Sequence, residues 1–250
     1  MNYDTLKKEW LETENIEFKG WDFSYLTGRW ETEPLPWDYR ALIHQYLKKS
    51  DKLLDLGTGG GEILLSLQHP HDQTCVTESY PPNVELCRKI LSPLGIEVRQ
   101  NYEDNLIPYE NQSFDLVLSR HESYHPEEVR RVLKPGGIFI TQQVGGQNNA
   151  SLSKRLIDNY LPPYPEVQLD LFRNDLKSIG FDILYSDEYH PVSRFHDVGA
   201  VIYLAKIIEW EFPGFSVERC FDHLCRLYED WKETGYIETR EHRFILIARC

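Results

Sequence analysis

"LLDLGTGGGE" at residues 53–62 is a short apolar run that meets four glycines in five positions, broken only by Thr58. The apolar run reads as a buried strand, and the glycines read as a turn with almost no side chains. Such a turn lets main-chain groups come close to a ligand. The helical spacing of "EILLSLQ" follows at once, so the stretch predicts strand, turn and helix.

The same rhythm continues on both sides of each later break. Strands are predicted at "QTCVTES" (73–79), "IEVRQN" (96–101), "SFDLVLSR" (113–120) and "IFITQQV" (138–144). Helices are predicted at "NVELCRKILSPLG" (83–95) and "EEVRRVLKPGG" (127–137), the second stopped by Pro135 and two glycines. A helix at 169–180, a sixth strand at "FDILYSDEYH" and a last strand at "HRFILIARC" complete the set. Short apolar strands alternating with helices predict an α/β fold on a largely parallel sheet.

Other segments are less regular. Residues 4–14 and 37–49 have helical spacing, with an aromatic, irregular run at 20–39 between them. "GGQNNASLSK" and "LPPYPE" read as loops. Residues 197–210 are apolar nearly all round, which predicts a helix buried on most sides. Val217, Cys220, Phe221, Leu224, Leu227, Tyr228 and Trp231 follow the 3–4 spacing of an amphipathic helix. The expected organisation is an N-terminal cap at 1–49 and one domain at 50–250, with a helical insertion at about 191–235.

Composition narrows the function. The chain has 250 residues, 41% of them hydrophobic, and a formal net charge of -13. That charge disfavours nucleic acid as the main partner. No window reads as a signal peptide or membrane span. The five cysteines are scattered, with no C-x-x-C, as expected of reduced thiols in a cytoplasmic protein. No metal-ligand spacing is present. The oligomeric state has no sequence signal.

Three chemistries compete for the glycine turn. A Walker loop needs Lys and Ser/Thr after the glycines, where Glu62 and Ile63 stand. The dinucleotide fingerprint G-x-G-x-x-G fails at Glu62 when counted from Gly57 and at Leu64 when counted from Gly59, although shifted variants leave a hydride-transferring enzyme open. D-x-G-x-G-x-G fits Asp55, Gly57, Gly59 and Gly61. This pattern resembles motif I of the class I S-adenosylmethionine-dependent methyltransferases. Glu78 closes the second predicted strand, where that family keeps an acidic residue. "NYEDNLIPYENQSFDLVLS" and "VRRVLKPGGIFI" resemble its next motifs, so the likeness runs over about 50–145.

The resemblance implies a Rossmann-like sheet of seven strands, parallel except for the last. It also implies S-adenosyl-L-methionine as cofactor. Gly57, Thr58, Gly59 and Gly61 would meet its methionyl part, with Asp55 beneath by the ammonium. Glu78 would hold the ribose, beside Ser79 and Tyr80. Tyr102 or Glu103 would lie by the adenine. Ser119 and Arg120, at the end of the fourth strand, complete this set.

The acceptor would sit beyond the strand ends. There "RHESYH" (120–125) offers His121 as the first candidate base, with His125 and Tyr124 next. Arg29 and Trp37 of the aromatic run, which also holds Trp21, Tyr25, Trp30 and Tyr39, are candidate substrate-binding residues. So is Gln143, from the neutral set Gln142, Gln143, Gln147 and Asn148. The N/D/S-P-P-Y/F/W tetrapeptide of amino methyltransferases acting on nucleic-acid bases is absent after the fourth strand; "SYPPN" follows the second instead. The expectation is methyl transfer to a small molecule. RNA or protein methylation, or a catalytically silent cofactor-binding module, are the alternatives.

Overall fold

The structure is a computed structural model that describes residues 3–18, 23–103 and 105–250. Trp21 lies outside the described residues. The chain divides into two compact units. A sheet unit comprises residues 36–144, 167–188 and 243–250, and a helical unit comprises residues 1–35, 145–166 and 189–242.

The sheet unit is built on seven strands: β1 (Leu53–Leu56), β2 (Thr74–Glu78), β3 (Glu97–Gln100), β4 (Phe114–Arg120), β5 (Leu133–Val144), β6 (Asp182–Tyr189) and β7 (Arg243–Arg249). Their order is β3-β2-β1-β4-β5-β7-β6. β1 pairs parallel with β2 and β4, β2 with β3, and β4 with β5, while β7 runs antiparallel to β5. This is the Rossmann-like, mostly parallel seven-stranded sheet expected from the sequence. The strand order reverses between β1 and β4, which opens a crevice beyond their carboxyl ends.

Alternation along the strands gives the sheet two faces. One carries Leu54, Leu56, Val117, Phe139, Phe244 and Leu246 in a core with Val129, Val132 and Leu176 from the helices Pro126–Val132 and Leu169–Ser178. The other carries Leu53, Asp55, Leu118, Ile140 and Ile245, fixed there by the registers Asp55↔Leu118, Leu118↔Ile140 and Ile245↔Gln142. The helix Tyr39–Tyr46 packs against β5, and its Ile43 is fully buried. It is capped by Asp38, which accepts from Arg40 N and Ala41 N.

Some boundaries differ from expectation. The helix predicted at 83–95 is Pro81–Ile90, followed by a 3-10 turn at Ser92–Leu94, because Pro93 supplies no N–H to continue it. The helix predicted to 137 ends at Val132, since Leu133 already pairs with Phe114.

In the helical unit, Val198–Ile207 is buried along most of its length. It packs with Leu6 and Trp10 of Tyr3–Glu14, Leu152 and Leu156 of Ala150–Leu156, and Leu224 and Leu227 of Val217–Thr234. Ala150–Leu156 falls where a loop was expected. A three-stranded antiparallel sheet of Trp30–Thr32, Val192–Phe195 and Ile237–Arg240 was not foreseen, because strands of three or four residues carry too little alternation to register. The aromatic run packs in this unit. Tyr25 stands 4.4 Å from Tyr203, and Trp30 stacks on Phe195.

Arg29 is part of that packing rather than a ligand group. Its Nε and Nη2 donate to both oxygens of Asp197 at 2.8 and 2.5 Å, and its guanidinium lies over the Tyr25 ring. Asp197 also caps Val198–Ile207 by accepting from Ala200 N. This pairing holds the Asp197 carboxyl below its ordinary pKa despite partial burial. Arg29→Ala and Asp197→Ala should each cost about 1–2 kcal/mol. The double variant should cost clearly less than the sum of the two, as read by urea denaturation.

Candidate cofactor and acceptor site

The glycine turn is held by its own backbone and by the end of β2. Gly57, Gly59 and Gly61 have φ of 62°, 60° and 80°, a left-handed region that side-chain-bearing residues rarely adopt. Thr58 N donates to Thr77 O, and Gly59 N donates to Glu78 Oε2 at 2.8 Å. Cys87 Sγ donates to Gly59 O. A Cβ added at Gly59 would meet nothing within 4 Å, so this main chain faces open space. A Cβ at Gly57 would collide with the side chain of Glu122, which therefore lies against the turn.

Glu78 is only 5% exposed. Its other oxygen accepts from Ser79 N and Tyr80 N at 3.0 and 2.9 Å. The side chains of Ser79 and Tyr80 are exposed. Beyond β3, Tyr102 is 81% exposed, with its hydroxyl on Gln100, and Glu103 is exposed as well. The buried group here is Asn101. Its Oδ1 is buried without a partner, and the residue lines a cleft with Gly57, Thr77, Ile107 and Glu122. Asn101 and Glu122 were given no role from the sequence, although both stand inside motifs that were singled out.

The second face of the sheet brings a different set together. Arg120 lies opposite Gln142, and Arg243 lies opposite Val144. Trp37 Nε1 donates to Gln142 Oε1 at 2.8 Å, and Gln142 Nε2 is 3.3 Å from His121 Nε2. His121 itself has φ 58°, a strained conformation for a side-chain-bearing residue, and its N–H donates to Gln142 O.

Burial dominates the electrostatics of this face. It pushes the Asp55 carboxyl up to about 7, helped by Glu78 and opposed by the Thr58 hydroxyl and Arg120. Burial, and then Asp55, push the Tyr39 phenol well above its usual range. His121 is exposed on part of its surface, yet protein packs closely round it. That crowding, and then Arg120 and Arg243, drive its pKa well below the ordinary histidine value. His121 is therefore neutral near pH 7.

Several expected residues stand elsewhere. The Tyr124 ring packs on Phe139 and Phe172, and burial raises its phenol pKa far above normal. That is a packing position, not the environment of a proton acceptor. His125 is an exposed residue at the start of Pro126–Val132, paired with Glu127 at 3.0 Å. Gln143 is buried on the opposite face from Gln142. It donates to Glu122 O and Thr141 Oγ1, and it contacts Ser119 Oγ at 3.3 Å. Ser119 in turn donates to Glu122 O, so Ser119 and Gln143 brace the loop after β4.

Residues 54–141 match the family described as a methyltransferase domain. A ribosomal RNA small subunit methyltransferase G from Chlorobium phaeobacteroides is 31% identical over 121 residues, 46% of this chain and 54% of that protein. A glycine/sarcosine/dimethylglycine N-methyltransferase from Actinopolyspora halophila is 28% identical over 204 residues, 74% of this chain and 34% of that protein. The chain thus spans a third to about half of the length of these curated relatives. Among solved structures, a putative methyltransferase from Bacillus halodurans superposes with a TM-score of 0.55 at 16% identity, over 84% of this chain and 97% of that one. Residues 54–141 thus match a methyltransferase domain, and the Rossmann-like sheet with the D-x-G-x-G-x-G turn at its switch point is similar to the fold of the class I S-adenosylmethionine-dependent methyltransferases.

Proposed function

We propose that this protein transfers a methyl group from S-adenosyl-L-methionine to a small-molecule acceptor. The observation that carries the reading is the pair of groups left open at the switch point. The Gly59 main chain faces empty space beside the Glu78 carboxylate, and the Asn101 carboxamide oxygen is buried without a partner. These groups fit the cofactor chemically. The Glu78 oxygens keep acceptor capacity for ribose hydroxyls, and a carboxamide both accepts from and donates to the edge of an adenine. Asn101 takes the adenine role in preference to the exposed Tyr102 and Glu103. Asp55, near the end of β1, is the carboxylate offered to an ammonium group. Bound there, the cofactor supplies an electrophilic methyl group on a sulfonium centre.

His121 is the proton acceptor. The indole N–H of Trp37 is a donor only, so it fixes Oε1 of Gln142 toward itself. Nε2 of Gln142 then faces His121, and the His121 Nε2 must carry a lone pair, with the proton on Nδ1. Trp37 and Gln142 thus keep one neutral tautomer, and His121 Nε2 takes up the acceptor's proton in exchange for its contact with the Gln142 amide.

The small-molecule reading rests on charge. The sheet unit carries 20 acidic and 15 basic residues, and the helical unit carries 20 acidic and 12 basic. Neither offers the cationic excess that a phosphate backbone requires. The likeness to a ribosomal RNA methyltransferase keeps an RNA acceptor as the second reading. A mobility shift with ribosomal RNA at physiological salt separates the two, and tight binding there would overturn the first. The five free cysteines suit a reducing, cytoplasmic setting. Among the described residues no helix is long and apolar enough to cross a membrane.

Calorimetry tests the cofactor site. Glu78→Ala should weaken S-adenosylmethionine binding at least about tenfold, a cost of about 1.4 kcal/mol. Asp55 titrates near 7, and a cationic ligand favours its ionised form. Affinity should therefore rise as pH increases from 6 to 8. In Asp55→Asn it should be weaker and flat with pH.

The base has its own signature. His121→Ala should lower kcat by about 10²-fold or more with cofactor affinity unchanged. The active form is the neutral ring, and its pKa is depressed, so the acidic limb from this group lies well below pH 6.5. Gln142→Glu puts an anion beside the ring and should move that limb to higher pH. A pH–rate profile left in place by both variants would remove His121 from this role.

A further inference from the structure

We infer that Cys87 is a positioning residue of the cofactor site: its thiol, set beneath the glycine turn by the helix Pro81–Ile90, holds the Gly59 main chain in the shape that receives S-adenosylmethionine. This role rests on the methyl-transfer reading and adds a residue to the same site.

Local geometry ties the helix to the turn. Glu78 accepts from Ser79 N and Tyr80 N at the end of β2, and Pro81 and Pro82 open the helix directly after them. Proline has a φ already suited to a first helical turn. The helix therefore leaves β2 along one path, and residues four apart on it share a face. Cys87 and Leu91 are such a pair, and both are fully buried. That face lies under the turn. Cys87 Sγ donates to Gly59 O at 3.0 Å. A Cβ added at Gly61 would stand 2.9 Å from Cδ2 of Leu91.

Gly59 is thus held at both of its polar main-chain atoms. Its N–H donates to Glu78 Oε2 at 2.8 Å, and its carbonyl accepts from Cys87. One bond stands before its φ and the other after its ψ, so together they fix the left-handed conformation at φ 60°. Glycine has the most conformational freedom to lose, and a ligand that had to order this turn itself would bind more weakly. The thiol is in the right state to donate. Burial, and then Glu78 and Asp55, push its pKa up to about 11, so the S–H is present at neutral pH.

The other side of the turn is where a ligand is awaited. Gly59 has nothing within 4 Å where a side chain would stand. The Asn101 Oδ1 is buried without a partner, and Asn101 lines one cleft with Gly57. Cys87 acts from behind, through Gly59, and does not touch the cofactor.

S-adenosylhomocysteine is titrated by calorimetry into the native protein and its variants, with folding checked by urea denaturation. Cys87→Val fills a similar volume without a donor and should weaken binding about fivefold or more. Should that variant be unfolded, Cys87→Ala carries the same expectation. Cys87→Ser restores a donor and should bind within about twofold of the native protein. Cys75 is a second buried thiol of the sheet unit, but it donates to Glu97 rather than to the turn, so Cys75→Val should leave affinity unchanged. Without ligand, the Gly59 and Gly61 amides should exchange hydrogen faster in Cys87→Val than in the native protein, and at a near-native rate in Cys87→Ser. Native affinity in Cys87→Val overturns the inference and leaves methyl transfer standing. A loss in Cys87→Ser or Cys75→Val as large as that in Cys87→Val marks general packing and overturns it too. If S-adenosylhomocysteine fails to bind the native protein, the methyl-transfer reading falls, and the cofactor role of Cys87 falls with it.

Discussion

The hydrogen bond from Gly59 N to Glu78 Oε2 ties the first strand-to-helix turn to the end of the neighbouring strand. A buried carboxylate is costly unless it is hydrogen-bonded, and Glu78 accepts from three backbone N–H groups. Two of them come from Ser79 and Tyr80, which directs the chain into Pro81–Ile90. The third holds the glycine turn, three of whose residues are left-handed. One side chain thus sets the exit of β2, the path after β1 and the polar floor between them. Asp55, two residues before Gly57, is buried, and that burial moves its pKa toward 7 against the Thr58 hydroxyl and Arg120.

The other organising feature is the Trp37–Gln142–His121 chain. Trp37 comes from the segment before β1, Gln142 from β5, and His121 from the loop after β4. Each contact restricts the next, since an indole can only donate and a carboxamide then has a fixed polarity. The left-handed φ of His121 is tolerated because its own N–H is held by Gln142 O. The strain and the pair of contacts to one glutamine hold the ring in one place.

The sheet was largely legible in the sequence, because seven apolar runs of strand length alternate with helical spacing and each break has glycine or proline chemistry. The glycine turn and Glu78 were legible for the same reason: few residue types satisfy a left-handed turn beside a buried acceptor. The three-stranded sheet was not legible, since Trp30–Thr32 is too short to show a period. Arg29 looked like a free cation because its partner Asp197 lies 168 residues away in the chain. Asn101 was passed over for Tyr102 and Glu103, although all three share one tetrapeptide, because burial of a single carboxamide oxygen leaves no mark on composition or spacing.

Gln142 and Gln143 show where such reading stops and why. They are adjacent, identical in chemistry and at the end of the same strand. Along a strand successive side chains point to opposite faces, so one residue of difference reverses the environment. Gln143 turns toward Ser119 and Thr141 and spends its donors on the loop carbonyl of Glu122. Gln142 turns toward Trp37 and His121, on the face shared with Arg120 and Arg243. Sequence chemistry identifies the pair as polar groups at the mouth of the sheet. Only register against β4 and β7 assigns one to bracing and the other to the face of Trp37 and His121. The charge of that face therefore follows from pairing geometry, since a shift of β7 by one residue would turn Arg243 away and leave His121 beside a single arginine.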